Sequence, residues 1–115
     1  ALLIAERRRD GARRFLFFEI DRGTMNLERL EKKVIAYEAY RRPRGARRFQ
    51  ARFGVLPRFD VVFVLPSAAR LGNVYRQVSN ALRRLGTPDR ERRYHFLTEA
   101  HLSPERVLQR LPLTT

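Results

Sequence analysis

The sequence predicts an α/β domain: a mixed sheet of about four strands in the order β-β-α-β-α-β-α, with helices on both faces. Three observations carry that expectation. Residues 15–18 and 59–65 are almost continuously apolar, the pattern of strands covered on both sides. Asp10-Gly11 separates two strand-like runs, and Asp-Gly is a favoured hairpin pair. Helix-period segments lie between the later strand-like runs, which makes parallel strands joined by right-handed crossovers.

Taken in order, residues 1–8 read as a strand, residues 9–11 as a turn, and residues 12–21 as a second strand of Phe and Leu. Gly23 ends it. Thr24 or Asn26 caps a helix that runs to about Arg42, with Glu28 and Glu31 suited to its positive end. Pro43 and Gly45 stop that helix, and residues 41–58 read as an irregular crossover. Residues 59–65 form a third strand. Pro66-Ser67 opens a long helix that ends near Leu85-Gly86. Residues 87–93 are a charged turn, 94–98 a short fourth strand, and Ser103-Pro104-Glu105 opens a last short helix. Residues 112–115 read as a frayed tail.

Composition narrows the chemistry. The chain has 115 residues, 43% hydrophobic and 32% charged. That suits one domain over residues 1–115. The absence of cysteine excludes disulfides, thiolate zinc sites and cysteine nucleophiles. His95 and His101 cannot alone form a histidine-rich metal site, and each reads as a packed or surface histidine. No apolar run reaches the roughly 18–20 residues of a membrane span. Residues 1–5 lack the basic lead-in of a signal peptide, so the expected setting is cytoplasmic. The chain opens inside an apolar run and its single methionine is Met25. It is therefore expected to be the later part of a longer protein.

The net charge is +13, and arginine supplies 23 of the 25 basic residues. A genome that writes Arg for Lys explains this, and so does a phosphate-binding surface. Arg41, Arg42, Arg44, Arg47, Arg48, Arg52 and Arg58 cluster after the first helix, with Phe49 and Phe53 between them. That stretch is a candidate DNA contact, the phenylalanines stacking on bases or packing beneath the loop. A second basic stripe comprises Arg76, Arg83, Arg84, Arg90, Arg92 and Arg93.

Strand alternation puts Phe15, Phe17, Glu19 and Asp21 on one face and Leu16, Phe18 and Ile20 on the other. Glu19 and Asp21 then leave a buried strand on the same side, roughly 7 Å apart. Two such carboxylates can hold a hard cation such as Mg²⁺. Equally, Glu19 can pair with an arginine while Asp21 caps a turn. On the following helix Leu27, Leu30, Val34 and Tyr37 form an apolar stripe. Lys32 points away from it. Lys33, the other lysine, sits at its margin, either reaching back to the strand end or snorkelling to water.

The segment from Phe17 to Thr24, followed by Leu30 and Lys33-Val34-x-x-Tyr37, resembles the replication-relaxation family of plasmid and mobile-element proteins. That family is similar in fold to the PD-(D/E)XK, restriction-endonuclease-like nucleases. The stretch 59–70, a buried strand and then Pro-Ser-x-x-Arg, resembles the family's later half more loosely. The resemblance implies a restriction-endonuclease-like core lacking its first elements, with a winged-helix DNA-binding region upstream. It places the nuclease glutamate on Glu19. Asp21 stands where a lysine is usual, and Lys33 is the displaced lysine. The family's first aspartate would fall before Ala1. The catalytic candidates are thus Glu19, Asp21 and Lys33, with Glu19 and Asp21 holding Mg²⁺. The expected partner is DNA, together with a relaxase or replication initiator. The expected role is DNA association without efficient cleavage. A Mg²⁺-dependent endonuclease and a structural or protein-interaction module are the alternatives.

Overall fold

Every residue from Phe59 to Leu65 is buried, which makes this strand the centre of a sheet with both faces covered. In the computed structural model, which describes residues 2–6, 13–23, 25–54 and 59–101, the strands are β1 (Leu2–Glu6), β2 (Arg13–Ile20), β3 (Phe59–Leu65) and β4 (Tyr94–Thr98). The helices are α1 (Leu27–Tyr40), α2 (Pro43–Phe53) and α3 (Ala68–Arg84), with short 3₁₀ turns at Pro88–Arg93 and Glu99–His101. The expected sheet of about four strands resolves into a parallel core of three, β2-β3-β4, with β1 paired antiparallel outside β2. Glu19 lies opposite Phe63, and Phe63 opposite Phe96.

Helices on both faces were expected. Among the described residues all three α-helices pack on one face. Leu30 and Val34 of α1, Phe49 of α2 and Val74, Val78, Ala81 and Leu82 of α3 meet Phe59, Val61, Phe63 and Leu65 of β3 in one cluster. The reason is topological. Both crossovers advance across the sheet in the same direction, and crossovers of one hand that do so lie on one side. The other face holds Leu16, Val62, Val64 and Leu97, with Phe18 against them. The helix expected at Ser103-Pro104-Glu105, the turn at residues 9–11, and Thr24, Arg58 and the tail lie outside the described residues. So do the side chains of Phe15, Phe53 and His101.

Both long helices start where the sequence indicates. Asn26 caps α1, its side chain accepting from the Arg29 amide at 2.8 Å. Ser67 caps α3 in the same way from Arg70 at 3.2 Å. Gly86, at φ 75°, follows the end of α3.

The stretch expected to be an irregular crossover is instead largely α2. Pro43 ends α1 and also opens α2: it occupies the first helical turn, where its missing N–H is no loss and its fixed φ suits a helix. The junction is tight enough to demand glycine. A Cβ on Gly45 would lie 1.9 Å from the Ala39 carbonyl oxygen. Phe49 anchors the new helix. Its ring stacks on Phe59 at 5.5 Å and meets Tyr40 edge-on at 5.6 Å. Phe49 is wholly buried, so it packs under α2 and offers no face to a base.

Candidate functional site

Parallel strands bring their carboxyl ends to one end of the sheet, the usual place for a site in such folds. Here β2 delivers Glu19 and Asp21 to that end, and each is held by a different helix. Glu19 faces α1. Lys33 and Tyr37, one helical turn apart, both donate to it. Lys33 Nζ lies 2.8 Å from Glu19 Oε2, and the Tyr37 hydroxyl donates to Oε1. The Tyr37 ring packs against Phe17 at 5.5 Å. Burial and then the Glu19 carboxylate push the phenol well above its ordinary range, so it remains a donor.

Asp21 faces α3. It is 2% exposed. Its Oδ1 accepts from the Gly23 amide at 3.0 Å and its Oδ2 from Arg70 Nε at 2.6 Å. Arg70 also donates to the Met25 carbonyl at 2.5 Å, tying the loop after β2 to the start of α3. Burial raises the Asp21 carboxyl, but the hydrogen bonds from Arg70 and Gly23 and the Arg70 charge outweigh it, leaving the group below its ordinary value. A lowered folded-state value stabilises the fold above the unfolded value of about 3.9 and loses that contribution as pH falls through the folded value. Denaturant midpoints measured against pH should therefore show Asp21→Asn weaker than the parent at pH 7. The gap should close below about pH 4. A gap that stays constant across the range would remove the ion pair as its cause.

The structure thus brings Glu19 and Lys33 together as the sequence suggested, and adds Tyr37 and Arg70. Tyr37 was visible one turn after Lys33 but carried no role. Arg70 closes the Pro-Ser-x-x-Arg stretch, but it is 49 residues from Asp21, and nothing in the sequence pairs the two. Beside these groups is an open cleft of about 220 Å³, lined by Glu19, Ile20, Asp21, Arg22, Met25, Arg29 and Lys33.

Divalent-cation binding was expected of Glu19 and Asp21, whose oxygens are already engaged within the protein. Each of the four carboxylate oxygens already accepts a hydrogen bond from the protein. Lys33 and Arg70 sit where a hard cation would find its ligands.

The arginine cluster divides. Arg41, expected at a DNA surface, is turned inward. Its Nε lies 2.9 Å from Glu38, both Nη atoms donate to the Phe59 carbonyl at 3.2 Å, and its guanidinium rests 4.1 Å from the Phe59 ring centre. Glu38, three residues earlier, draws it there. Arg42, Arg44, Arg47, Arg48 and Arg52 are exposed. Helical spacing sets Arg44, Arg48 and Arg52 one turn apart with Arg47 beside them; Arg44 and Arg47 lie opposite the buried Phe49, while Arg48 and Arg52 flank it. Three of the six arginines of the second basic stripe meet carboxylates within the protein. Arg84 pairs with Glu31 at 2.9 Å, Arg90 with Glu38 at 3.4 Å and Arg93 with Asp60 at 3.6 Å. His95 is a packed histidine, 2.7 Å from the buried Asp60.

Among the described residues no helix is long and apolar enough to cross a membrane. Comparison with protein-family models, curated proteins and solved structures gave no match. The observations define a small α/β domain with a carboxylate–lysine cleft at one end of its parallel strands and an arginine face on α2.

Proposed function

We propose that this is a DNA-associated accessory domain that holds duplex DNA without cutting it efficiently. The exposed arginine face of α2 carries the reading. Its guanidinium groups project from one side of a rigid helix, the arrangement that suits phosphate neutralisation without sequence readout. The order of strands and helices and the Glu19–Lys33 contact support a restriction-endonuclease-like core of the replication-relaxation type. On this reading the domain works in the cytoplasm beside a relaxase or replication initiator, on plasmid or mobile-element DNA.

Duplex binding measured across a salt series tests it. The logarithm of the binding constant should fall linearly with the logarithm of salt, by about 0.9 per phosphate contacted. Undetectable binding at low salt, or binding indifferent to salt, would overturn the proposal.

One observation favours a second reading, a metal-dependent endonuclease: Lys33 stands 2.8 Å from Glu19. The occupied carboxylate oxygens argue against it. Cleavage assays with Mg²⁺ or Mn²⁺, comparing the parent with Glu19→Ala and Lys33→Ala, decide between the two. Metal-dependent cutting abolished by either substitution would establish the nuclease.

A further inference from the structure

We infer that the cleft at the carboxyl end of β2 is a metal-independent site for a phosphate group. Charge balance is the first ground. The cleft is lined by two carboxylates and three cations, and Arg70 stands behind Asp21 as a fourth. Glu19 is matched by Lys33 and Asp21 by Arg70. That leaves Arg22 and Arg29, both exposed, as a surplus of two positive charges. Their side chains have no ion-pair partner among the described residues.

Donor capacity is the second ground. The acids have spent an acceptor site on each oxygen, whereas the guanidinium groups of Arg22 and Arg29 keep their forks of N–H donors. Such forks match phosphate oxygens two at a time. Lys33 has three protons and uses one on Glu19. An arriving cation would meet a net positive wall, and an arriving phosphate would meet unspent donors.

Size and position are the third. A water occupies about 30 Å³ of liquid, so 220 Å³ admits a phosphate group with several waters. Ile20 and Met25 add apolar surface to its lining. None of the cleft's lining residues belongs to α2.

Two-dimensional amide NMR of the ¹⁵N-labelled protein tests the site, titrating in sodium phosphate without metal against a sodium chloride control. The expected result is saturable shifts centred on residues 20–29 and 33, with residues 44–52 unmoved. The double variant Arg22→Gln/Arg29→Gln should keep the parent spectrum elsewhere and weaken phosphate binding at least tenfold. MgCl₂ alone should leave residues 19–21 unshifted. Shifts confined to α2, phosphate binding that needs Mg²⁺, or equal affinity in the double variant would each overturn the inference.

Short oligonucleotides with a 5′-phosphate or a 5′-hydroxyl then distinguish the source. A phosphorylated end that displaces inorganic phosphate tenfold better supports the site as a reader of nucleic-acid ends. Equal displacement by the two supports it as a site for phosphate in general.

Discussion

Replacing Glu38 by alanine should destabilise the protein by about 3–5 kcal/mol, the range for breaking a buried ion pair from one side. The Glu38 side chain is 6% exposed and its partner Arg41 7%. Glu38 Oε2 accepts from both Arg41 Nε, at 2.9 Å, and the Tyr94 hydroxyl, at 2.8 Å. Burial and the Glu38 charge push the Tyr94 phenol well above its ordinary range, so it stays a donor. The substitution leaves a desolvated guanidinium with only the Phe59 carbonyl and ring to oppose its charge, and a buried hydroxyl with no acceptor. A domain of this size has about 5–15 kcal/mol in total, so the loss approaches global unfolding. Urea denaturation measures it. Glu38→Gln, which keeps an acceptor, should cost less. The double variant Glu38→Leu/Arg41→Leu should cost less than the sum of its singles, because no buried charge is stranded; Arg90, also paired with Glu38, is 41% exposed and keeps water. A loss below about 1 kcal/mol for Glu38→Ala would mean that water reaches the pair and screens it.

The same pair shows where sequence reading stops. Strands β3 and β4 were legible to the residue, because a continuous apolar run and its polar bounds are local facts. The start of α3 at Pro66-Ser67 was legible for the same reason, while the start of α1 was narrowed only to Thr24 or Asn26. Helix α2 was not. Pro43 and Gly45 look like breakers when read along the chain. What makes the segment helical is Phe49 finding Tyr40 and Phe59, a tertiary event. The direction of the two crossovers is likewise absent from any local pattern, so the placing of α1, α2 and α3 on one face could not be foreseen. In the site, alternation along β2 and the stripe on α1 brought Glu19 and Lys33 close on paper. Arg70 stood in the Pro-Ser-x-x-Arg stretch, but its pairing with Asp21 was not legible, because composition offers 23 arginines and only the fold selects one for that carboxylate. Arg41 belongs to the same arginine run in sequence, and only Glu38, three residues before it, marks it for the interior.

That selection among arginines gives the sharpest test of the DNA reading. Changing Arg44, Arg47 and Arg48 together to glutamine should lower the slope of log affinity against log salt by about three, one per lost phosphate contact. Extrapolated from that slope, affinity at 0.1 M salt should fall by about two to three orders of magnitude. All three side chains are exposed on α2, so stability should change by no more than about 0.5 kcal/mol per site. Loss of binding then cannot be blamed on unfolding. Arg84→Gln is the matched control. Its guanidinium is 57% exposed yet lies 2.9 Å from Glu31, so part of its charge is already answered within the protein. It should change the slope by less than one. If net charge alone drove binding, any three arginines would serve, and removing Arg76, Arg83 and Arg84 would cost as much as removing the α2 set. If instead the α2 face is the interface, only that set carries the slope. Equal losses from the two triple variants would reduce the +13 charge to a diffuse attraction and remove α2 from the reading.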